Sequence, residues 1–395
     1  MTRPDFRLAI VSTHPIQYNA PWFRLLAEKQ GISIKIFYTW SQSKGGTQYD
    51  PGFGKMVAWD IPLLEGYDYT FVENVSSDPG THHYWGIKNP TLIREIEQWS
   101  PNAVLVFGWN FQSHLHCIRH FHKRIPVLFR GDSTMLDERF GLRRLTRRYF
   151  LQWVYRHVDL AFYVGRRNYE YFERHGLKPQ QLHFAPHAID NDRFAAPDEV
   201  YAEAARDWRK ELGIAENEFL LLFAGKLEYK KNPQFLFQLM EKIGTAAVKV
   251  LFVGNGAMEQ KLKERAAGDP RFLFLDFQNQ QQMPIIYRMC DTFVLPSIGP
   301  GETWGLAVNE AMACGRPVMV SDRAGCAADL VQQYKNGVVF SPQRPEICLA
   351  FLAPLLLGKA KTDKMGQLSR ELVSTYSFQA IVNKIDEAVK ALPTT

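Results

Sequence analysis

Short runs of apolar residues alternate with longer amphipathic stretches along most of the chain. Residues 8–12 form one such run, a turn follows, and apolar positions then recur at helical spacing over 21–27. Residues 219–225 and 233–240 repeat this arrangement in the second half. An unbroken apolar run is typical of a strand buried on both faces of a parallel sheet. The pattern therefore predicts that each half of the chain opens with a strand, a loop and a helix.

Further apolar runs extend both predicted sheets. They cover 33–37, 103–107 and 127–129 in the first half, and 248–253, 272–275, 292–295 and 317–320 in the second. Because helical stretches alternate with these runs, we expect an α/β fold with two Rossmann-like, doubly wound domains. Ligands bind such domains at the carboxyl ends of the strands, so we expect the domains to face each other across a ligand cleft. Residues 42–90 show weak periodicity and predict loops with short strands.

A polar segment rich in alanine and charge separates the two halves between Pro186 and Asn217. The chain has 395 residues, and a typical domain has about 150, so its length accommodates two domains. We place the amino-terminal domain at 1–190 and the carboxy-terminal domain at 191–375. The amphipathic stretch at 376–395 has no strand after it, and we assign this helix to the first domain.

The composition is typical of a soluble globular protein, with 46% apolar and 22% charged residues. No run of about 18 apolar residues occurs, so we expect no transmembrane helix. Ser12, His14 and Pro15 break the first apolar run, which argues against a signal peptide. The five cysteines are scattered without a CxxC pair, which argues against a disulfide scaffold and a structural zinc site. We therefore expect a cytoplasmic protein.

The formal net charge of +6 is concentrated in one segment. Residues 139–156 contain six arginines and no acid, so this segment accounts for the whole excess and a general nucleic-acid binder is not expected. On a helix, one face would carry Arg143, Arg144, Arg147 and Arg148, and the other Leu142, Leu145, Tyr149 and Trp153. One interpretation is a domain helix with a solvated cationic face. The other is peripheral contact with an anionic membrane or a lipid-diphosphate acceptor.

The most informative segment is 296–318. After the predicted strand, a Gly- and Pro-rich loop leads into a helix that we expect to start near Gly305 and end at Gly315. The N-terminus of such a helix attracts anions. Glu302 precedes it and Glu310 lies about two turns inside, where a carboxylate gains little from the helix dipole. Two surface acids would be the plain alternative, but a pair of carboxylates here also suits hydrogen bonding to sugar hydroxyls.

The segment resembles the signature of a known enzyme family. The Glu-x7-Glu spacing, with Gly305, Gly315 and Pro317-Val318, is similar to that of retaining nucleotide-sugar glycosyltransferases of the GT-B fold, glycosyltransferase family four, also called glycosyl transferases group 1. Further resemblances occur in family order: Pro186 to Asp190 with Phe194, Gly225-Lys226-Leu227 with Lys231-Asn-Pro233, Gly254-Asn-Gly256, Asp322, Gly325, Asp329 and Asn336-Gly337. The resemblance is motif-specific from about 183 to 342 and only general before that.

The resemblance implies that the second half binds a UDP- or GDP-sugar donor. Lys226 and Lys231 would hold the diphosphate and stabilise the charge that develops on this leaving group, Glu302 would contact the transferred sugar, and Glu310 would bind the ribose. The implied donor-binding set is Gly225, Lys226, Lys231, Gly254, Glu302, Trp304, Gly305, Leu306 and Glu310. Lys226 replaces the usual Arg, which keeps the charge and loses bidentate recognition. Alternatively, the two lysines are ordinary surface cations.

The first half would supply the acceptor side. We add His14, in the loop after the first strand, and Asp132, after the strand at 127–129, to Glu302, Lys226 and Lys231 as catalytic candidates. The acceptor-side candidates are Gln17, Trp109, Asn110 and Arg130, with His82, His83 and Trp85 as further pocket residues. Each of these side chains could equally serve packing or loop polarity.

Nothing in the sequence calls for a metal or a cofactor. Asp190-Asn-Asp192 imitates the DxD motif of metal-dependent transferases, but it falls in the segment between the domains. Gly254-Asn-Gly256 lacks the third glycine of a dinucleotide-binding motif, because Glu259 stands there, so no nicotinamide cofactor is expected. We expect no metal site, no cofactor and catalysis without a divalent ion.

The sequence therefore predicts a retaining glycosyltransferase that moves a sugar from a UDP- or GDP-sugar to a glycan or lipid-linked acceptor. The family resemblance places this activity in bacterial surface polysaccharide or glycoconjugate synthesis. Two alternatives stay open: a nucleotide-sugar epimerase of the same architecture, which needs no acceptor, and a non-catalytic sugar-nucleotide-binding protein. The pair of Glu302 and Glu310 argues against the second.

Overall fold

Parallel strands and connecting helices alternate along the chain in the computed structural model, which describes residues 6–40, 47–50, 55–138 and 141–392. In chain order, the first half contains β1 (Phe6–Ser12), α1 (Ala20–Ala27), β2 (Ile32–Tyr38), β3 (Thr47–Asp50), β4 (Lys55–Ala58), β5 (Asp68–Phe71), α2 (Leu92–Trp99), β6 (Ala103–Phe107), α3 (Gln112–Phe121), β7 (Val127–Arg130), α4 (Leu142–Tyr155), β8 (Leu160–Tyr163), α5 (Arg166–Arg174) and β9 (Leu182–Phe184). The second contains α6 (Asn191–Phe194), α7 (Asp198–Glu211), β10 (Phe219–Ala224), α8 (Phe235–Ile243), β11 (Val248–Val253), α9 (Glu259–Ala266), β12 (Phe272–Leu275), α10 (Met283–Met289), β13 (Thr292–Leu295), α11 (Leu306–Ala313), β14 (Val318–Ser321), α12 (Ala327–Leu330), β15 (Gly337–Phe340), α13 (Glu346–Leu352), α14 (Lys359–Ser374) and α15 (Phe378–Lys390).

The chain divides into two compact units. Unit 1 contains the described residues of Met1–Gln48, Ile61–Pro186 and Phe378–Thr395, and unit 2 those of Tyr49–Asp60 and His187–Ser377. Each unit is a parallel-sheet, Rossmann-like α/β fold, as the sequence predicts. No helix among the described residues combines the length and apolar character needed to cross a bilayer.

Unit 1 is built on a seven-stranded sheet with the order β5-β2-β1-β6-β7-β8-β9. All neighbouring strands pair in parallel. Residues 8–11 of β1 and 103–106 of β6 are fully buried, because helices cover both faces of the sheet. The chain continues from β1 to β2 on one side and later returns to β6 on the other, so the topological switch point lies between β1 and β6.

Unit 2 has a six-stranded parallel sheet with the order β12-β11-β10-β13-β14-β15. Its core contains stacked phenylalanine rings; Phe237 and Phe272, for example, lie 4.1 Å apart between ring centroids. Here the strand order reverses between β10 and β13. The loops after these two strands, 225–232 and 296–305, are named the unit 2 switch-point loops below.

The helix that carries the arginine run is exposed on more than its cationic face. Leu142, Leu145 and Tyr149 of α4 are 82%, 48% and 65% exposed. These three apolar residues therefore do not pack into the core. The contact with the core comes instead from the last turns of α4, through Leu151 and Val154.

Candidate donor site in unit 2

The two switch-point loops of unit 2 are fastened to each other by hydrogen bonds. The buried Asn232 side chain donates from Nδ2 to the carbonyl of Pro296 over 3.1 Å. The backbone N–H of Ile298 donates to the carbonyl of Lys230 over 2.9 Å. Because the loops follow adjacent parallel strands, their side chains meet at the sheet edge where such folds bind ligands.

Lys231 and Glu302 form an ion pair at this edge. The Lys231 Nζ lies 2.5 Å from Oε2 of Glu302, and the same carboxylate oxygen accepts a 2.8 Å hydrogen bond from Ser297 Oγ. Glu302 is only 8% exposed and Ser297 is fully buried. The alternative of an isolated surface acid and surface cation is therefore excluded, since the structure brings both groups together in a partly desolvated pair.

The helix after Glu302 begins as the sequence predicts. Gly305 is the N-cap of α11 and has φ of 109°. A Cβ at this position would lie 2.7 Å from the Leu295 side chain, so both the backbone conformation and the space require glycine. The first turn of α11, which follows with Leu306, thus starts beside the Glu302 loop, where the unpaired N–H groups of a helix favour an anion.

Glu310 lies inside α11 and is 4% exposed. Its Oε2 accepts a 2.8 Å hydrogen bond from the hydroxyl of Tyr287 in α10. The alternative of a solvated helix face is therefore wrong for Glu310. Burial of a carboxylate requires hydrogen-bond partners, and Tyr287 supplies one.

Two glycines bring the loops after β10 and β11 together. A Cβ on Gly254 would lie 2.2 Å from the carbonyl oxygen of Gly225, and Gly254 has φ of 128°. Lys226 follows Gly225 directly and is half-buried. The contact leaves no room for a side chain at Gly254 and keeps the backbone of the two loops adjacent.

Trp304 is buried, and its indole N–H is used within the protein. Nε1 donates to Oδ1 of Asn309 over 2.9 Å, and Asn309 donates from Nδ2 to the carbonyl of His187 over 3.3 Å. Its ring also lies 5.9 Å from that of Tyr376. These contacts connect the loop before α11 to the two chain segments that border unit 2.

The model of the family described as glycosyl transferases group 1 matches residues 204–390. The chain carries a glycosyl transferases group 1 domain. The sequence motifs quoted above fall mainly within this domain, and so do both glutamates and both lysines of the candidate site.

Curated relatives match over part of their length. The sulfoquinovosyl transferase SQD2 of Arabidopsis thaliana is 31% identical over 169 residues, which is 42% of this chain and 32% of the plant protein. A D-inositol 3-phosphate glycosyltransferase of Segniliparus rotundus is 26% identical over 222 residues, 54% of this chain and 47% of the relative. The matched region thus spans less than half of either relative.

Solved structures extend the similarity to the whole fold. The Anabaena protein HepE, in complex with UDP, superposes with a TM-score of 0.73 at 17% identity and covers 98% of this chain and 100% of its own. The sucrose-phosphate synthase of Thermosynechococcus elongatus gives a TM-score of 0.70 at 16% identity, with 98% of both chains covered. The two Rossmann-like units therefore have the GT-B architecture that the sequence predicts.

Outside the glycosyl transferases group 1 domain, His14 follows β1 at the switch point of unit 1. Its Nδ1 lies 3.0 Å from Thr13 Oγ1, and its ring meets that of Trp40 edge-on. Burial lowers the pKa of His14 to about 4, so the imidazole is neutral near pH 7. A neutral ring can exchange a hydrogen bond with a hydroxyl, but it adds no cationic charge.

Arg130 ends β7 and is buried. Its guanidinium donates to the carbonyls of Ala185 and Pro186 over 2.8 and 2.9 Å. Burial lowers its pKa to about 10, an effect that the neighbouring Asp132 opposes. These hydrogen bonds hold the chain at Ala185 and Pro186, where this segment of unit 1 ends, against the end of β7.

The other predicted acceptor-side residues lie in the two loops at the unit 1 switch point. Gln17 is half-buried in the loop after β1, and Asn110 is exposed in the loop after β6. Trp109 packs edge-on against Phe150 of α4, with 5.3 Å between ring centroids. His82 and His83 belong to a different loop, between β5 and α2.

Asp78, His82 and His83 are the one group of three metal-capable side chains found together among the residues that the structure describes. Nε2 of His82 and of His83 lies 3.2 and 3.1 Å from Oδ2 of Asp78. The N–H of Trp85 donates to Nδ1 of His83, so the proton of this ring is on Nε2 and points to Asp78. Hydrogen bonds therefore account for the cluster.

Asp190 of the DxD-like sequence caps α6, where its Oδ1 accepts from the N–H of Arg193.

Three residues of the site have no clear sequence signal. Ser297 is a small polar residue directly after a strand, which is a weak indication of a site. Tyr287 and Asn309 fall in helical patterns where a buried aromatic or amide is ordinary. Their contacts join positions far apart in the sequence or separated by a loop, which periodicity does not reveal.

Proposed function

We propose that the chain is a retaining glycosyltransferase that transfers a sugar from a nucleoside diphosphate sugar to an acceptor hydroxyl. The observation that carries this proposal is the partly buried Lys231–Glu302 pair at the switch point of a glycosyl transferases group 1 domain, beside the start of α11. The family match and the names of the relatives give no support to the epimerase alternative.

The donor would be a UDP- or GDP-sugar. Lys226 and Lys231 would bind the diphosphate together with the first N–H groups of α11, and these cations would stabilise the charge that the leaving group gains as the sugar bond breaks. UDP is the more strongly supported nucleotide, because the similar fold of Anabaena HepE was solved with UDP. Since two lysines and a helix terminus supply the positive charge, we propose that catalysis needs no divalent ion.

Glu302 would contact the transferred sugar, and Glu310 the ribose. The pairing of Glu302 with Lys231 would hold the sugar-binding carboxylate beside the phosphate-binding cation. The leaving phosphate would accept the proton of the attacking hydroxyl, as the family resemblance implies. Among the acceptor-side candidates, His14 has the neutral imidazole that a sugar hydroxyl can hydrogen-bond.

The acceptor would be a glycan or a lipid-linked sugar, in the synthesis of bacterial surface polysaccharide or another glycoconjugate. Helix α4 supports the lipid-linked alternative. Its exposed Leu142, Leu145 and Tyr149 lie among the arginines at positions 143, 144, 147 and 148. A helix with an exposed apolar face and a cationic face suits the surface of an anionic membrane, where each cation contributes about 1 kcal/mol.

A ligand screen by thermal unfolding tests this proposal. UDP, GDP and ADP are compared with the free nucleosides and with pyrophosphate. A ligand that binds the native state at about 100 times its Kd stabilises the protein by about 2.7 kcal/mol. We expect UDP or GDP to raise the Tm more than the matching nucleoside. If no nucleoside diphosphate raises the Tm, the proposal is wrong.

A further inference from the structure

The packing around Tyr287 restricts the position of its hydroxyl group. The residue is in α10, has no exposed surface, and its ring packs edge-on between Phe194 and Phe293 at centroid distances of 6.1 and 5.7 Å. Two aromatic neighbours restrict the rotation of the side chain. The hydroxyl is therefore held 2.8 Å from Oε2 of Glu310 in α11.

This hydrogen bond selects one orientation of Glu310. A glutamate in the middle of a helix has three rotatable side-chain bonds, and ordering them costs conformational entropy. The buried surroundings strengthen the hydrogen bond between the Tyr287 hydroxyl and the Glu310 carboxyl group. Because Tyr287 is already fixed by packing, the orientation of Glu310 is set before any ligand arrives.

We propose that Tyr287 is a positioning residue for the donor, which holds Glu310 in the orientation that binds the ribose hydroxyls. This inference rests on the proposed role of Glu310 in ribose binding. The ribose is not at the reacting bond, so its contacts are the same in the ground state and the transition state. Loss of such uniform contacts raises KM and leaves kcat unchanged.

The test is Tyr287→Phe, which removes the hydroxyl and keeps the ring. Titration calorimetry with UDP and with pyrophosphate separates nucleoside contacts from phosphate contacts, and GDP replaces UDP if it gives the larger Tm rise. We expect about a tenfold weaker Kd for the nucleoside diphosphate and an unchanged Kd for pyrophosphate. Turnover with the donor sugar should show a raised KM and the wild-type kcat. Tyr201→Phe is the matched control, because that ring lies 4.9 Å from the Arg288 guanidinium and serves packing in the same unit.

A double-mutant cycle shows whether Tyr287 acts through Glu310. We expect Glu310→Ala to weaken nucleoside diphosphate binding by itself, and adding Tyr287→Phe should then cost nothing more. If Tyr287→Phe has the full effect in the Glu310→Ala background, or weakens pyrophosphate equally, the hydroxyl supports packing and the inference is wrong. If Tyr287→Phe binds the nucleoside diphosphate as tightly as the wild type, the inference about Tyr287 is wrong and the proposed function is unaffected. An absence of binding by the wild type overturns the proposed function with it.

Discussion

The switch points of the two units use polar side chains in different ways. In unit 2, Lys231, Glu302 and Ser297 contact one another, and the loops that carry them are hydrogen-bonded together. In unit 1, His14 is neutral and borders Trp40, and Trp109 packs edge-on against Phe150. Unit 2 has a concentrated charge pair ready for a charged ligand. Unit 1 offers neutral and aromatic surfaces, which suit a neutral ligand recognised by shape and hydrogen bonds.

The largest effect should come from removing the negative charge in the unit 2 pair. Glu302→Gln keeps the hydrogen-bonding shape and removes the carboxylate that we propose faces the transferred sugar. We expect kcat to fall by about 100-fold, the size of losing one group that stabilises the transition state. Because Lys231 then loses a competing anion, the donor KM should stay the same or decrease. Steady-state kinetics measures both parameters.

Glu310→Gln is the comparison for that prediction, since it should mainly raise the donor KM. A raised KM without loss of kcat in Glu302→Gln, together with a lowered kcat in Glu310→Gln, would reverse the two roles. Normal kinetics in both variants would show that neither glutamate contributes to the donor site.

Removing the positive partner should have the next largest effect. Lys231→Ala deletes a cation that we propose binds the donor phosphates, and it leaves the buried Glu302 without its ion pair. Breaking a buried pair in this way costs about 3 kcal/mol, so the Tm should fall as well. We expect UDP or GDP affinity to drop by roughly 30-fold or more and free nucleoside affinity to change little, as measured by titration calorimetry.

Lys230→Ala is the matched control, because the neighbouring Lys230 pairs with Glu228 in a more exposed position. Exposed pairs contribute less than about 1 kcal/mol, so this variant should bind and unfold like the wild type. Equal losses for nucleoside and nucleoside diphosphate in Lys231→Ala would show that Lys231 does not contact the phosphates.

A smaller effect is expected from the exposed face of α4. Arg143→Ala combined with Tyr149→Ser removes one cation and one exposed aromatic ring. At about 1 kcal/mol for each, partition onto vesicles with anionic lipid should decrease by roughly tenfold or more. Cosedimentation measures this, with Arg174→Ala on the exposed surface of α5 as control. Equal binding of the wild type to neutral and anionic vesicles would contradict the membrane contact.

The smallest predicted effect is a pH dependence of stability that arises in unit 1. His114 is fully buried, between Thr39 Oγ1 at 2.9 Å and the Phe107 carbonyl at 2.8 Å, and burial lowers its pKa to about 4. Below pH 6.5, His114 binds a proton in the unfolded chain but stays neutral in the folded chain. The stability of the folded protein therefore decreases as the pH falls toward 4. Between pH 6.5 and 5.5, the loss from this residue should be about 1 kcal/mol.

Urea unfolding at several pH values checks the prediction. His114→Asn should be less stable at pH 7 and lose less stability on acidification over this interval. A variant profile parallel to that of the wild type would rule out His114 as a source of the slope.

The sequence predicts most strands of both sheets but not β8, β9 and β15. The central strands, such as β10 and β11, are long apolar runs that leave little choice of structure. β8, β9 and β15 have three or four residues each and lie at one end of their sheets. Their position is determined by pairing with a neighbouring strand, which depends on tertiary structure.

The candidate site was predictable as a set of residues but not as a set of contacts. The Glu-x7-Glu spacing indicates Glu302 and Glu310, and the loop after β10 indicates Lys231. The ion pair joins positions 71 apart in the sequence, and the Tyr287 hydrogen bond joins different helices. For α4, periodicity predicts which residues share a face and does not determine whether another element covers it.

Neither unit is a continuous stretch of chain, and this affects how the protein is made. Helix α15 packs against α1 and β9 of unit 1, with Lys29 Nζ donating to Asn383 Oδ1 over 3.2 Å, although it follows all of unit 2 in the sequence. During synthesis on the ribosome, unit 1 therefore cannot pack against α15 until the whole of unit 2 has been synthesised. In the same way, a recombination event that exchanges everything from residue 187 onward replaces one helix of unit 1 along with residues 187–377 of unit 2. The incoming α15 then has to fit the resident α1 and β9, which restricts the exchange of such halves between related genes.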